Sequence, residues 1–140
     1  MNTLTEVRQY LNSVPNINFG GCGIAALSMF RWCKKREIFT QLICLESEEE
    51  EAESNLKKLA KGVAIGLSAP SHCGIVYEST VMDCNQEELQ EKVEITYLVN
   101  EYEMVSLIIT GRGWNDSFDR DYIRDIETKL SIDLSDIKEK

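Results

Sequence analysis

A chain of 140 residues with 43% hydrophobic content is long enough for one ordinary domain with its own core, and needs no disulfides for stability. Fifteen basic against 24 acidic residues give a formal charge of -9, which excludes the basic footprint that nucleic acid or an anionic membrane surface requires. No apolar run approaches the ~18–20 residues of a membrane span, and the first residues lack a basic stretch leading into an apolar one, so no membrane and no secretion signal are expected.

The five cysteines, at 22, 33, 44, 73 and 84, form no CxxC pair. An odd count without a signal implies free thiols in a reducing cytoplasm. The spacings offer no close ligand pairs, so neither a metal nor a cofactor is expected.

Thr3 with Glu6 spells a capping box, and Leu4, Val7, Tyr10, Leu11 and Val14 recur at helical spacing. A helix over 4–14 follows, stopped by Pro15, and residues 16–21 form a loop. From Cys22 to about Arg36 the apolar positions cover most of the helical circumference, which describes a buried helix. Residues 38–45 (IFTQLICL) are β-rich and short enough for a strand.

Between 46 and 53, six of eight residues are Glu, a solvated charge run. Residues 55–61 continue as a helix closed by Gly62, and a short apolar stretch runs over 62–70. HCGIVYESTVMDCN, 72–85, has the pattern of a β-hairpin. A polar helical turn over 86–91 and a strand over 93–98 follow. Asn100 with Glu103 caps a helix ending at Gly111. The loop RGWNDSF then leads to a last helix over 119–130, with Tyr122, Ile123, Ile126 and Leu130 on one stripe. Trp114 and Phe118 fold over the core, and Asp119 caps that helix. There are no repeats and no linker, so residues 1–140 read as a single α+β domain.

The hairpin holds the only histidine. With Glu78 and Ser79 as the turn, paired residue numbers sum to 157, so Tyr77 faces Thr80, Gly74 faces Asp83 and Cys73 faces Cys84. Alternation then puts His72, Gly74, Val76, Val81, Asp83 and Asn85 on one face. His72 and Asp83 become diagonal neighbours within reach of one another. Gly74 between them leaves room for a helix. Cys73, Ile75, Tyr77, Thr80, Met82 and Cys84 share the other, apolar face, where Cys73 and Cys84 act as small hydrophobes, as do Cys33 and Cys44.

Cys22 stands between Gly21 and Gly23 at the start of a helix. The partial positive charge of a helix N-terminus stabilises a thiolate, and so does a nearby imidazolium. An Asp that accepts the second imidazole N–H fixes its tautomer. Residues of these three types, in this order, point to nucleophilic catalysis.

The order of Cys at a helix start, His on a strand and a polar group on the next strand resembles the papain-like cysteine peptidase fold, and within it the NlpC/P60 and transglutaminase-like branches. His72 follows Cys22 by fifty residues and precedes Asp83 by eleven, spacings similar to NlpC/P60 domains. Gly21-Cys22-Gly23 departs from the Asp before and Ser-Gly after the cysteine usual there. The chain also resembles small phage-encoded proteins with a GGCG helix start and a WN-x-SF-x-R loop, here residues 114–120.

The resemblance implies Cys22 as nucleophile, His72 as base and Asp83 as orienting group, with Asn16 and Tyr10 as oxyanion candidates beside the Cys22 amide. It implies a hydrolase or acyltransferase acting on an amide, isopeptide or thioester bond of a peptide, amide or protein substrate in the cytoplasm, the host's if phage-encoded. The alternative is a catalytically inactive acidic interaction protein, phage- or bacteria-encoded, that binds a basic protein partner.

Overall fold

The structure, a computed structural model, describes residues 2–17, 21–46, 72–78, 80–82, 95–110 and 118–137. The acidic run beyond Glu46, the helix expected over 55–61 and the turn over 86–91 lie outside the described residues.

Helix α1 spans Leu4–Ser13. Its start is the capping box read from the sequence: Thr3 Oγ1 accepts the N–H of Glu6 at 3.2 Å, while the Glu6 carboxylate accepts from the Asn2 amide at 3.2 Å. The helix stops one residue short of the expected end. Val14 precedes a proline, whose ring pushes it into the extended conformation, at ψ 126.

Helix α2, Cys22–Lys35, is the centre of the molecule, with ten of its fourteen residues buried. Ile24, Ala26, Leu27 and Met29 are wholly covered, and each large one contributes about 1.5–3 kcal/mol by leaving water. The buried Ser28 hydroxyl is satisfied by donating to the Ile24 carbonyl at 2.6 Å. At the far end, Glu37 adopts φ 59, and the amides of Glu37 and Ile38 return to the carbonyls of Lys34 (3.1 Å) and Cys33 (2.9 Å). This is a left-handed C-terminal cap, here without the usual glycine.

That cap explains a difference from the sequence reading. Strand β1 spans Gln41–Glu46 and does not begin at Ile38. The Ile38 amide is spent on the helix cap, and Phe39, against the apolar pattern, is 78% exposed.

Strand β2 is His72–Tyr77, β3 is Thr80–Met82 and β4 is Ile95–Val99. Tyr77 pairs with Thr80, Val76 with Val81 and Ile75 with Met82, so the paired numbers sum to 157 as expected. Glu78 opens the turn at φ 48, the left-handed conformation that a tight hairpin demands. The strands form one antiparallel sheet in the order β3-β2-β1-β4.

One face of that sheet, carrying Leu42, Cys44, Cys73, Ile75, Met82 and Val99, joins the core built around α2. The expectation that a helix approaches over Gly74 is therefore corrected. The helix packs on the Cys73–Ile75 face, because that face supplies the apolar side chains that α2 must cover.

Helix α3 spans Glu101–Thr110 and starts with a reciprocal capping box. The Glu103 amide donates to the Asn100 side chain at 2.7 Å, and the Asn100 amide donates to the Glu103 carboxylate at 2.9 Å. Helix α4 is Tyr122–Leu130, followed by a 3-10 turn at Ser135–Ile137. The residues before Tyr122 form a turn and not helix. The Asp119 carboxylate accepts the Asp121 amide at 2.9 Å, and Phe118 is buried against the core as anticipated. Among the described residues no helix is long and apolar enough to cross a membrane.

Arg31 locks α2 to the later elements. Its Nε donates to Glu101 at 2.7 Å, its two terminal nitrogens grip Asp136 at 2.8 and 2.7 Å, and one of them also reaches the Asp133 carbonyl at 2.9 Å. Lys34 adds a 3.0 Å bond to Glu101, and Lys35 bonds the Ser131 carbonyl at 2.7 Å. The Arg31 hydrogen bonds hold the Asp136 carboxyl below its usual range. Burial works to raise the Glu101 carboxyl, but the bonds from Lys34 and Arg31 prevail and lower it. The fold is α+β: a mostly buried helix on a small antiparallel sheet, closed by helices and ion pairs.

Candidate active site

Cys22 is the first residue of α2 and is 5% exposed. Its position is set by close packing more than by a cap. Gly21 holds the N-cap position with no side-chain hydrogen bond, at an ordinary φ of -107. A Cβ on Gly21 would lie 2.8 Å from the Ile17 carbonyl oxygen, 2.9 Å from the Ile17 Cα and 2.9 Å from Phe118 Cδ1. The glycine is required for the approach of Ile17 and Phe118, and no unusual dihedral is involved. Gly20 lies outside the described residues.

The Cys73 thiol, on the second residue of β2, has the Cys22 and Cys44 thiols as neighbours that act on its titration. Cys44 and Cys73 are direct partners across the strands. Three thiols from three elements thus meet in the core, at 5%, 0% and 1% exposure. Burial pushes the Cys73 thiol well up, and the neighbouring Cys22 and Cys44 push it further the same way. Cys33, elsewhere on α2, is raised to about 11 by burial, eased by the nearby Arg36. The four described cysteines are all free.

His72 is the first residue of β2 and pairs with Leu45. Its backbone is therefore one residue from the one that Cys22 neighbours, although fifty residues separate the two in sequence. The side chain of His72 lies outside what the structure describes, as do Asp83 and Cys84 altogether. The hairpin register is described as far as Ile75 opposite Met82, and it is the register from which the sequence set Asp83 opposite Gly74. In the two-residue alternation of β2, Cys73 and Ile75 occupy the positions on the α2 side.

The two oxyanion candidates sit in different settings. Tyr10 lies half-buried on α1 beside α4, with the Lys129 ammonium 6.0 Å above its ring. Burial raises its phenol, and the charge of Asp125 adds to the effect. Asn16 is exposed in the turn after Pro15, at φ 60. Among the described residues no group of three or more His, Cys, Asp or Glu is placed to hold a metal ion.

Sequence reasoning missed the thiol neighbours of Cys22. The hairpin register does not say which strand lies beside β2, and only the β1–β2 pairing brings Cys44 to Cys73. It also missed Phe118 as the wall behind Gly21, a contact across 97 positions that no local pattern announces. Compared with known proteins, the chain matches no family model, no curated protein and no solved structure.

Proposed function

We propose that the protein is a cysteine hydrolase or acyltransferase of papain-like type acting on an amide, isopeptide or thioester bond. Cys22 attacks the carbonyl carbon, and His72 takes the thiol proton and passes it to the leaving group. Asp83 orients the imidazole, and amides at the start of α2 receive the developing oxyanion. Tyr10 and Asn16 are the side-chain candidates for that role. The observation that carries this reading is the position of Cys22: it opens the central helix and neighbours Cys73, the residue next to the only histidine.

The reading makes one structural demand. Strand alternation gives the α2 side to Cys73, so the start of β2 must depart from strict alternation to present His72 to Cys22. Iodoacetamide labelling of the folded protein near pH 6 tests the pair. Cys22 should be alkylated ahead of the other four cysteines, with Cys33 as an inert internal control, and His72→Ala should remove that lead. Equal labelling of all thiols, or none at Cys22, overturns the proposal.

The burial of Cys22 favours a second reading, a catalytically inactive member of the same architecture whose acidic surface binds a basic protein. Capture of such a partner would then survive Cys22→Ala and disappear when the glutamates between 46 and 53 become glutamine.

A further inference from the structure

Phe39 follows the α2 cap with its ring in solvent, 78% exposed, and Tyr102 at the start of α3 is 81% exposed. They are the two most exposed large hydrophobic side chains among the described residues, and they leave the same end of the sheet. Leu42 pairs with Val99 there; Phe39 lies three residues before the first and Tyr102 three after the second. A single exposed apolar residue needs no explanation, but a cavity of about 360 Å³ opens beside Phe39, lined by Phe30, Lys34, Glu37, Ile38, Phe39 and Thr40. Its wall is mostly apolar, and Lys34 and Glu37 are its exposed charges. The Lys34 ammonium lies 5.9 Å from the centre of the Phe30 ring and 3.0 Å from the carboxylate of Glu101, the residue next to Tyr102.

We propose that this face is a two-fold contact between two copies of the chain, in which Phe39 of each copy enters the cavity of the other. A two-fold contact joins one patch to itself, so the patch must carry both insert and receptacle, and both members of every charge pair. This one does. Phe39 stands beside an apolar hollow within the ~300–1,000 Å³ range of pockets that take small molecules, room enough for a second ring. Lys34 of each copy meets the partner's Glu37. Charge also selects the occupant. Two chains of charge -9 repel one another, and least where Lys34, Lys35 and Arg36 run consecutively beside this face. A strongly basic partner would face those three cations, and a strongly acidic one would set its carboxylates against Glu37. An aromatic side chain buries about 150–250 Å² when covered, so Phe39 and Tyr102 of both copies supply about 600–1,000 Å². That is below the ~1,200–2,000 Å² of a stable interface, so the dimer is transient and forms with concentration. The contact uses neither Cys22 nor His72, so it stands apart from the proposed catalysis.

The test is sedimentation velocity of the full chain, with reductant present, over a range from about 5 μM to about 1 mM. A rise from the monomer mass toward twice that mass is expected. Phe39→Ser should raise the dissociation constant about tenfold or more, and Tyr102→Ser by less. Both side chains are exposed, so both variants should keep the thermal midpoint of the unaltered chain. Lys34→Glu and Glu37→Lys should each weaken association, because each sets like charges opposite one another across the two-fold. An equal mixture of those two chains should associate more tightly than either alone, because mixing restores opposite charges at both pairs. A monomer at every concentration overturns the proposal and leaves the face to a different occupant. So does a dimer that Phe39→Ser does not weaken, or a mixture that associates no better than its separate chains. Association is the readout, so failure here is distinct from failure of the labelling test for catalysis.

Discussion

The two ends of α2 are held by opposite kinds of physics. At Cys22 the helix starts among apolar side chains and thiols, with no side-chain cap and with Gly21 pressed against Ile17 and Phe118. Around Arg31 and Lys34 the last turns are gripped by two carboxylates and a carbonyl. Shape fixes the first end, and charge fixes the second. The charged clamp lies toward the end of the helix opposite Cys22, and Cys22 itself is buried.

Perturbing each end in turn breaks that comparison. The largest effect is expected at the thiol end. Gly21→Ala forces a methyl within 3.0 Å of backbone atoms of Ile17, so about 3 kcal/mol of stability should be lost by urea denaturation. The result should be nearly the same at low and high salt. At the other end, Arg31→Met leaves Glu101 and Asp136 without their shared cation. Both carboxylates retain some solvent, so the cost should be smaller, about 2 kcal/mol.

The pH response separates the ends further. Asp136 and Glu101 have carboxyls held below their unfolded values. Their contribution is therefore fully present above about pH 4–5 and is lost as pH falls through the lower folded values. Thermal denaturation followed from pH 6 to pH 3 should show this loss, with a flatter profile in Arg31→Met and an unchanged profile in Cys44→Ala. The smallest effect is expected from salt: raising ionic strength to about 1 M should weaken the exposed Lys34–Glu101 contact by a few tenths of a kcal/mol and leave the thiol end untouched.

Local chemistry was legible in the sequence where the chain satisfies itself within a few residues. The Thr3–Glu6 and Asn100–Glu103 boxes and the hairpin register needed only turn and capping rules. The burial of α2 followed from its apolar circumference. Which face of the hairpin meets that helix did not follow from Gly74. A glycine signals space, whereas burial is driven by the apolar side chains of the other face. The Arg31 clamp was invisible for a related reason. Its partners lie 70 and 105 positions away, and a sequence dense in Asp and Glu offers no way to choose among them. For the candidate site, the start of α2 at Cys22 and the strand position of His72 were readable, but the thiols around Cys22 depend on sheet order, a property of the assembled chain.

The separation of Arg31 from Asp136 also has a consequence in time. The central helix emerges from the ribosome more than a hundred residues before the carboxylate that grips it. Through that interval its apolar surface and its cation are present without their final partners, and loop-closure entropy opposes any early docking. The helix that carries Cys22 is thus made early and secured late, and a chain interrupted before Asp136 would carry the thiol on a helix whose charged anchor is reduced to Glu101.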